Sequence, residues 1–312
     1  MASSSKKVIY AALIGNALVA CTKFVAASIT GSSAMLSEGI HSVVDTGNQL
    51  LLLLGLHKAK KPADERFPFG HGKEVYFWSF VVAILIFAVG AGVSVYEGII
   101  HLMHPAPIAS PYVNYIVLAL AMLFEGAALY FALTEFSRTK GKWSYLEAVQ
   151  KGKDPTGFVV LFEDSAAMLG LLVAFLGVFL TQVTGNLLFD GLASIVIGLI
   201  LGGTAVWLAY ETKGLLIGES ANLKVVKEIR AIVGSLPQVE HVNEVLTMHM
   251  GPKFILANLS IDFKDDLTAV EIEAAISRMD EQIKQACPDV QRVFIEAEAR
   301  KTTTGEEVRG EW

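Results

Sequence analysis

The stretch Ser37-Glu38-Gly39-Ile40-His41-Ser42-Val43-Val44-Asp45-Thr46-Gly47-Asn48 lies inside an apolar run, Met35–Leu56, long enough to cross a lipid bilayer as a helix. A charge at the bilayer centre costs at least about 2.5–3.5 kcal/mol on insertion scales, so an ionisable residue there faces a protein interior and is read first as functional. On a helix Glu38, His41 and Asp45 fall at i, i+3 and i+7 and share one face. His41 and Asp45 stand one turn apart. An imidazole and a carboxylate at that spacing can bind one transition metal, zinc most naturally. A hydrogen-bonded structural pair is the plainer reading of the same residues.

Five further segments are apolar over a bilayer's thickness: Val8–Ile29, Val75–Ile100, Tyr112–Phe136, Phe158–Thr181 and Leu187–Tyr210. Across all 312 residues, 53% are hydrophobic and 18% charged, against about 45–50% and about 25% in soluble domains. Mean hydropathy is +0.50. These values exclude a disordered chain and argue against a purely soluble one. The first segment is not a cleavable signal peptide, because it is too long, lacks a small-residue cleavage site and is followed at once by another span. Two cysteines, Cys21 and Cys287, exclude a disulfide scaffold and a cysteine-rich zinc module.

Lys and Arg gather on alternate connections. The loop His57–Lys73 holds Lys58, Lys60, Lys61, Arg66 and Lys73; the loop Ser137–Gly157 holds Arg138, Lys140, Lys142, Lys151 and Lys153; the N-terminus adds Lys6 and Lys7. The connections Thr30–Ala34, His101–Pro111 and Gln182–Asn186 hold none. The positive-inside bias therefore predicts six spans with both termini in the cytoplasm.

A composition shift near Lys213 marks a second domain. Residues 1–210 carry 13 basic and 13 acidic side chains, whereas residues 211–312 carry 12 and 18. An acidic tail of this kind gives nucleic acid no basic patch to bind. Hydrophobic periodicity predicts a helix over Asn222–Val233, strands over Val239–Met248 and Phe254–Phe263 with a Gly251-Pro252 turn, an amphipathic helix over Asp266–Ala286 and a strand over Val290–Ala297. The expected fold is thus an α-helical membrane protein of six transmembrane helices (residues 1–214), a cytoplasmic αββαβ domain (215–300) and a flexible tail (301–312).

The fifth span carries Phe162-Glu163-Asp164-Ser165. Adjacent carboxylates near the start of a membrane helix point about 100° apart, so one or both can face the interior. Ligands from the second and fifth spans would make one site between two helices. Asp190, opening the sixth span, reads as an N-cap. Glu97 and Glu125 read first as helix–helix hydrogen-bond partners, with a proton-path residue as the other reading of each.

Gly31–Gly55 (GSSAMLSEGIHSVVDTGNQLLLLLG), Phe67–Glu74 (FPFGHGKE), Phe162–Gly170 (FEDSAAMLG) and the αββαβ tail together resemble the cation diffusion facilitator family, and within it the zinc-transporter-like branch with Glu-Asp in the fifth span. The resemblance runs from about Lys7 to Ala299. It implies divalent-cation efflux, a ferredoxin-like cytoplasmic domain that pairs two protomers into a homodimer, and a transport site with two ligands on each of two spans. His41 and Asp45 match the first pair and Asp164 matches one of the second. The family's fifth-span histidine falls at Val160, which binds no metal. Glu163 is the nearest substitute, with Glu38 or a water as others, and such a harder site shifts preference toward manganese, iron or cobalt. The resemblance also implies a weaker loop site at His71 and Glu65, beside Asp64, although the family's other loop histidine is Phe67 here. In the tail, Asn243, Asn258, Glu296 and Glu298 stand where some members hold zinc, so no stable cluster is expected there. His241 and His249 read as ordinary surface or strand histidines, and His101 with His104 as a weak capture pair.

The expected function is therefore efflux of a divalent cation, zinc first, in exchange for protons, with no resident cofactor and the bilayer as surroundings. A membrane metalloenzyme would need a HExxH motif or a nucleophile beside a base, and neither is present. A membrane metal sensor that does not transport stays open because of Val160. The short polar N-terminus without an Arg/Ser-rich presequence points to a bacterial inner membrane.

Overall fold

The computed structural model describes the backbone of residues 2–141 and 143–300, and the side chains over that range apart from 2–15, 139, 146, 150 and 151. Lys6, Lys7, Lys142 and Lys151, which enter the orientation argument, lie outside the described side chains, and the expected flexible tail 301–312 lies outside the described residues. The chain divides into two units. One runs to Ala63 and resumes over Lys73–Leu216; the other joins Asp64–Gly72 to the chain from Ile217 onward.

The first unit is helical. It contains α1 (Ala2–Thr30), α2 (Ser33–Ala59), α3 (Glu74–Leu85), α4 (Gly92–Met103), α5 (Pro111–Thr139), α6 (Tyr145–Lys151), α7 (Pro155–Thr184) and α8 (Leu188–Ile217). Among the described residues, four helical stretches are long and apolar enough to cross a membrane: Glu74–Met103, Pro111–Arg138, Pro155–Thr184 and Leu188–Ile217. The described apolar part of α1, Asn16–Thr30, is shorter. In α2 the polar residues Glu38, His41, Asp45 and Asn48 interrupt the apolar run. This is a membrane protein with a helical membrane domain.

Two local features depart from the sequence reading. The loop Ser137–Gly157 holds a helix, α6, nucleated by a capping box: the Ser144 hydroxyl accepts from the Glu147 N–H while the Glu147 carboxylate accepts from the Ser144 N–H. The third apolar run is not one continuous α-helix. Between α3 and α4 the residues Ile86–Ala91 form a π-helical segment.

Helix α2 packs against α1, α3, α4 and α7. That central position buries its polar face, with Glu38, His41, Asp45 and Asn48 all enclosed. Helices α4 and α8 touch through small residues. A Cβ built on Gly98 would lie 2.7 Å from the Gly191 carbonyl oxygen, so only glycine allows this backbone approach.

The second unit contains α9 (Leu223–Gly234), β1 (Val239–Gly251), β2 (Phe254–Phe263), α10 (Ala269–Ala286) and β3 (Val290–Ala297), in the expected αββαβ order. The sheet is mixed, in the order β1-β2-β3. Strands β1 and β2 are antiparallel with Val245 opposite Leu259; β2 and β3 are parallel with Leu259 opposite Ile295. Ile229, Val233, Leu259, Ile261, Met279 and Ile283 form the core. Helix α10 starts three residues later than the periodicity suggests, because Thr268 and Glu271 close a capping box there. The segment Asp64–Gly72 joins this unit rather than the helices that flank it in sequence. Phe69 meets Phe294 edge-on at 6.5 Å, and a Cβ on Gly72 would collide with the Met250 carbonyl oxygen. Gly70, at φ 80°, supplies the left-handed turn.

Candidate functional site

The most polar interior of the helical unit lies where α2 meets α7. His41 Nδ1 stands 3.2 Å from Asp45 Oδ1, yet the contact is not aligned as a hydrogen bond. Neither His41 nitrogen nor Asp45 Oδ1 has a hydrogen-bond partner, although His41 is 1% and Asp45 7% exposed. One turn along α2 the Asn48 amide donates to Glu163 Oε1 at 2.8 Å. The Asp45 and Glu163 carboxyls face each other closely enough to act as hydrogen-bond partners. An unsatisfied buried polar atom costs about 1–3 kcal/mol, so several in one place ask for a ligand or a proton.

The structure thus brings His41, Asp45 and Glu163 together. Asp164, the next residue on α7, is partly buried, and the charges of Glu163 and Glu125 act on it. Val160, one turn earlier, packs against the apolar core. Among the described residues no three His, Cys, Asp or Glu side chains converge on one point at metal-ligand reach. The donors pair instead, His41 with Asp45 and Glu163 with Asn48.

Glu38 is committed elsewhere. Its Oε2 accepts from Lys23 Nζ at 3.0 Å, and the same ammonium donates to Ser42 Oγ at 2.7 Å, with Lys23 and Glu38 fully buried. The other Glu38 oxygen lies against Gly170 of α7, where a Cβ would displace it. Glu38 is therefore ion-paired through one oxygen in this arrangement, while its other oxygen is buried without a hydrogen-bond partner. Lys23 and Asn48 are buried polar residues beside this site that sequence reasoning passed over. Both carried a signal: Lys23 is a lone charge inside an apolar helix, and Asn48 lies three residues beyond Asp45 on the same face.

Asp190 does not cap its own helix. It sits in the first turn of α8, and its Oδ1 accepts from the Ser32 hydroxyl at 2.6 Å while its Oδ2 accepts from the Ser33 N–H at 2.5 Å. It caps the start of α2, a role that only the packing of two distant segments reveals. The expected His101–His104 pair is split: His101 is buried beside Asp190, and His104 is exposed.

In the loop, His71 Nε2 pairs with Asp64 Oδ2 at 2.9 Å, while Glu65 is exposed. The partner of His71 is thus Asp64 rather than Glu65. The hydrogen bond from His71, with those from the Phe67 and Arg66 N–H groups, holds the Asp64 carboxyl below its usual range. In the tail unit, Asn243 donates to Ser260 Oγ and to the Glu298 carbonyl, and Ser260 donates to Glu298 Oε2 at 2.6 Å. His241 is exposed and His249 is a buried strand residue.

Residues 9–217 match the cation efflux transmembrane domain. The chain belongs to the cation efflux family. Within this cation diffusion facilitator family it resembles the zinc-transporter-like branch. It is 36% identical over 260 residues to the human protein named proton-coupled zinc antiporter SLC30A9, mitochondrial, covering 82% of this chain and 46% of that one. The Xenopus laevis protein of the same name is 34% identical over 330 residues, covering 93% and 59%. The chain therefore spans about half the length of these relatives. The Bacillus subtilis manganese efflux system protein MneP is 25% identical over 294 residues, covering 93% of this chain and 95% of its own.

Proposed function

We propose that this chain is a proton-coupled efflux transporter of a divalent cation, zinc first, whose transport site is formed by His41, Asp45, Glu163 and Asp164 between α2 and α7. The observation that carries the reading is the buried row His41–Asp45–Glu163, in which both His41 nitrogens and Asp45 Oδ1 have no hydrogen-bond partner and Asp45 faces the Glu163 carboxyl. The names of the SLC30A9 relatives support zinc and proton coupling. The carboxylate-rich ligand set and the likeness to MneP favour manganese as the second substrate, ahead of iron and cobalt.

Binding a divalent ion needs neutral imidazole and ionised carboxylates, so loading releases protons. Asp45 and Glu163 meet as a carboxyl pair, and a cation replaces the proton that such a pair shares. Its two positive charges then hold the same oxygens together. Return of protons from the other side ejects the metal, and rocking of α2 and α7 against the remaining helices gives alternating access. We read α1 and α2 as the first and second of six spans, added to the four long apolar helices, with their polar faces turned inward. The basic loops then lie in the cytoplasm with both termini, and the αββαβ unit, read as ferredoxin-like, pairs two protomers there. We assign the protein to a membrane that sustains a pH gradient, a bacterial inner membrane in keeping with the near-full-length likeness to MneP. Transport, with no enzymatic step, follows from the same site.

Metal flux into sealed proteoliposomes under an imposed pH gradient tests the reading. Zinc, manganese, iron(II), cobalt and cadmium are compared in the wild type and in His41→Ala, Asp45→Ala, Asp164→Ala and Glu163→Ala. Gradient-dependent flux that vanishes in the first three variants is expected. Metal binding by calorimetry without flux of any ion in the wild type would replace the transporter with a sensor.

A further inference from the structure

We propose that His101 and Asp190 form a second proton-binding site, at the end of the helical unit opposite the basic loops, from which a ladder of serines leads to the transport site. The inference rests on the transport reading and says where the counter-ion is loaded.

Asp190 is fully buried, and both its oxygens accept hydrogen bonds from neutral donors, the Ser32 hydroxyl and the Ser33 N–H. A buried carboxylate with only neutral donors still carries a whole negative charge. His101 Nε2 lies 3.6 Å from Asp190 Oδ2, beyond hydrogen-bond length, and has no other partner. With 9% of its surface exposed, the imidazole is nearly enclosed while facing the carboxylate. A proton on Nε2 supplies the missing charge and closes the contact.

Among the described residues, no charge other than that of His101 acts on Asp190. Helix α8 contributes Asp190, whose charge His101 alone offsets; α2 contributes Ser32 and Ser33. Thr30 at the end of α1 is bonded to Asn114 of α5 at 2.9 Å, and both are uncharged. On α4 itself, Glu97 one turn back is partly buried and His104 is exposed. The Gly98–Gly191 approach brings α4 close enough for His101 to reach Asp190.

From Asp190 a polar seam runs inward. Ser33, Ser37 and His41 follow at i, i+4 and i+8 along one face of α2, and Asp190 and Ser194 at i, i+4 along α8. The Ser37 and Ser194 hydroxyls are hydrogen-bonded, Ser194 donates onward to the Ser94 carbonyl at 2.9 Å, and Ser33 Oγ has no partner. All are buried. From Ser33 to His41 is about 12 Å of helix. A hydroxyl both accepts and donates, so each rung takes a proton on a lone pair and passes its own forward. The excess proton leaves His101 Nε2 and is taken up at an unpartnered His41 nitrogen, and no other atom is gained or lost.

Two measurements test this on the intact protein. In lipid nanodiscs with 15N-labelled histidine, one of the seven histidine signals, identified by its loss in His101→Gln, is expected to respond to pH in the wild type and to respond differently in Asp190→Asn. In proteoliposomes, zinc flux in His101→Gln is expected to lose its response to pH on the side facing His101, while calorimetric zinc affinity stays at the wild-type value. Ser33→Ala keeps the backbone N–H to Asp190 and removes one rung, so it should flatten the same flux response with the His101 titration intact. It serves as the second variant if His101→Gln fails to fold. A His101 signal that does not titrate, or a wild-type pH response in either variant, would overturn the proposal. A wild type without metal flux would overturn the transport reading instead, and the His101 titration would still decide for or against this site.

Discussion

Glu38 and Asp45 lie seven residues apart on the same face of α2, both carboxylates and both buried, yet their surroundings differ in kind. Glu38 has a cation: Lys23 reaches it from α1 and is held by Ser42 as well. Asp45 has an unaligned imidazole on one side and a second carboxyl, Glu163, on the other. The first arrangement is electrically complete and the second is not. A membrane helix can thus carry one carboxylate to hold its neighbours and another to hold a passing ion, and the partner set, not the residue type, tells them apart.

The sharpest break of this contrast is Asp45→Asn, which keeps shape and removes charge. Metal flux is expected to fall to background while thermal unfolding of the solubilised protein barely moves. At Glu38 the order reverses. Lys23→Met strands a buried charge and is expected to cost about 3–5 kcal/mol of stability, the usual penalty for removing one partner of a buried pair. Adding Glu38→Leu should restore most of it, read as recovery of the melting transition. If Lys23→Met melts like the wild type, the ion pair is not structural.

Smallest is the effect at the loop pair. The Asp64 carboxyl is held below its usual range, so its folded form binds the proton less readily than the unfolded chain does. Such a group contributes stability that is full above its unfolded pKa and is lost as pH falls through the folded one. The turn at Asp64–Phe67 should therefore persist at neutral pH and loosen in acid. Amide exchange at Arg66 and Phe67 is expected to quicken on acidification relative to the intrinsic rate, and Asp64→Asn should make it independent of pH in that range.

Much of this architecture was legible in the sequence, for identifiable reasons. Apolar length marked the helices and alternation marked the strands of the tail, because a bilayer and a sheet impose those periods. His41, Asp45 and Glu163 stood out as charges where charge is costly. What did not show was pairing across distance. Nothing local says that Asp190 caps a helix that begins 157 residues earlier, that Lys23 meets Glu38, or that Asp64–Gly72 leaves its flanking helices for the tail's sheet. The capping boxes at Ser144 and Thr268, by contrast, were readable as Ser/Thr followed three residues later by Glu.

The π-helical segment Ile86–Ala91 has a consequence for how such a protein changes over generations. A π turn holds one residue more than the α turn it replaces. One residue turns a helix by about 100°, so the facing of α4 relative to α3 hangs on a single inserted amino acid. One codon gained at this point redirects the whole second half of the span, without altering any of the twelve residues of α4. One codon lost would undo it.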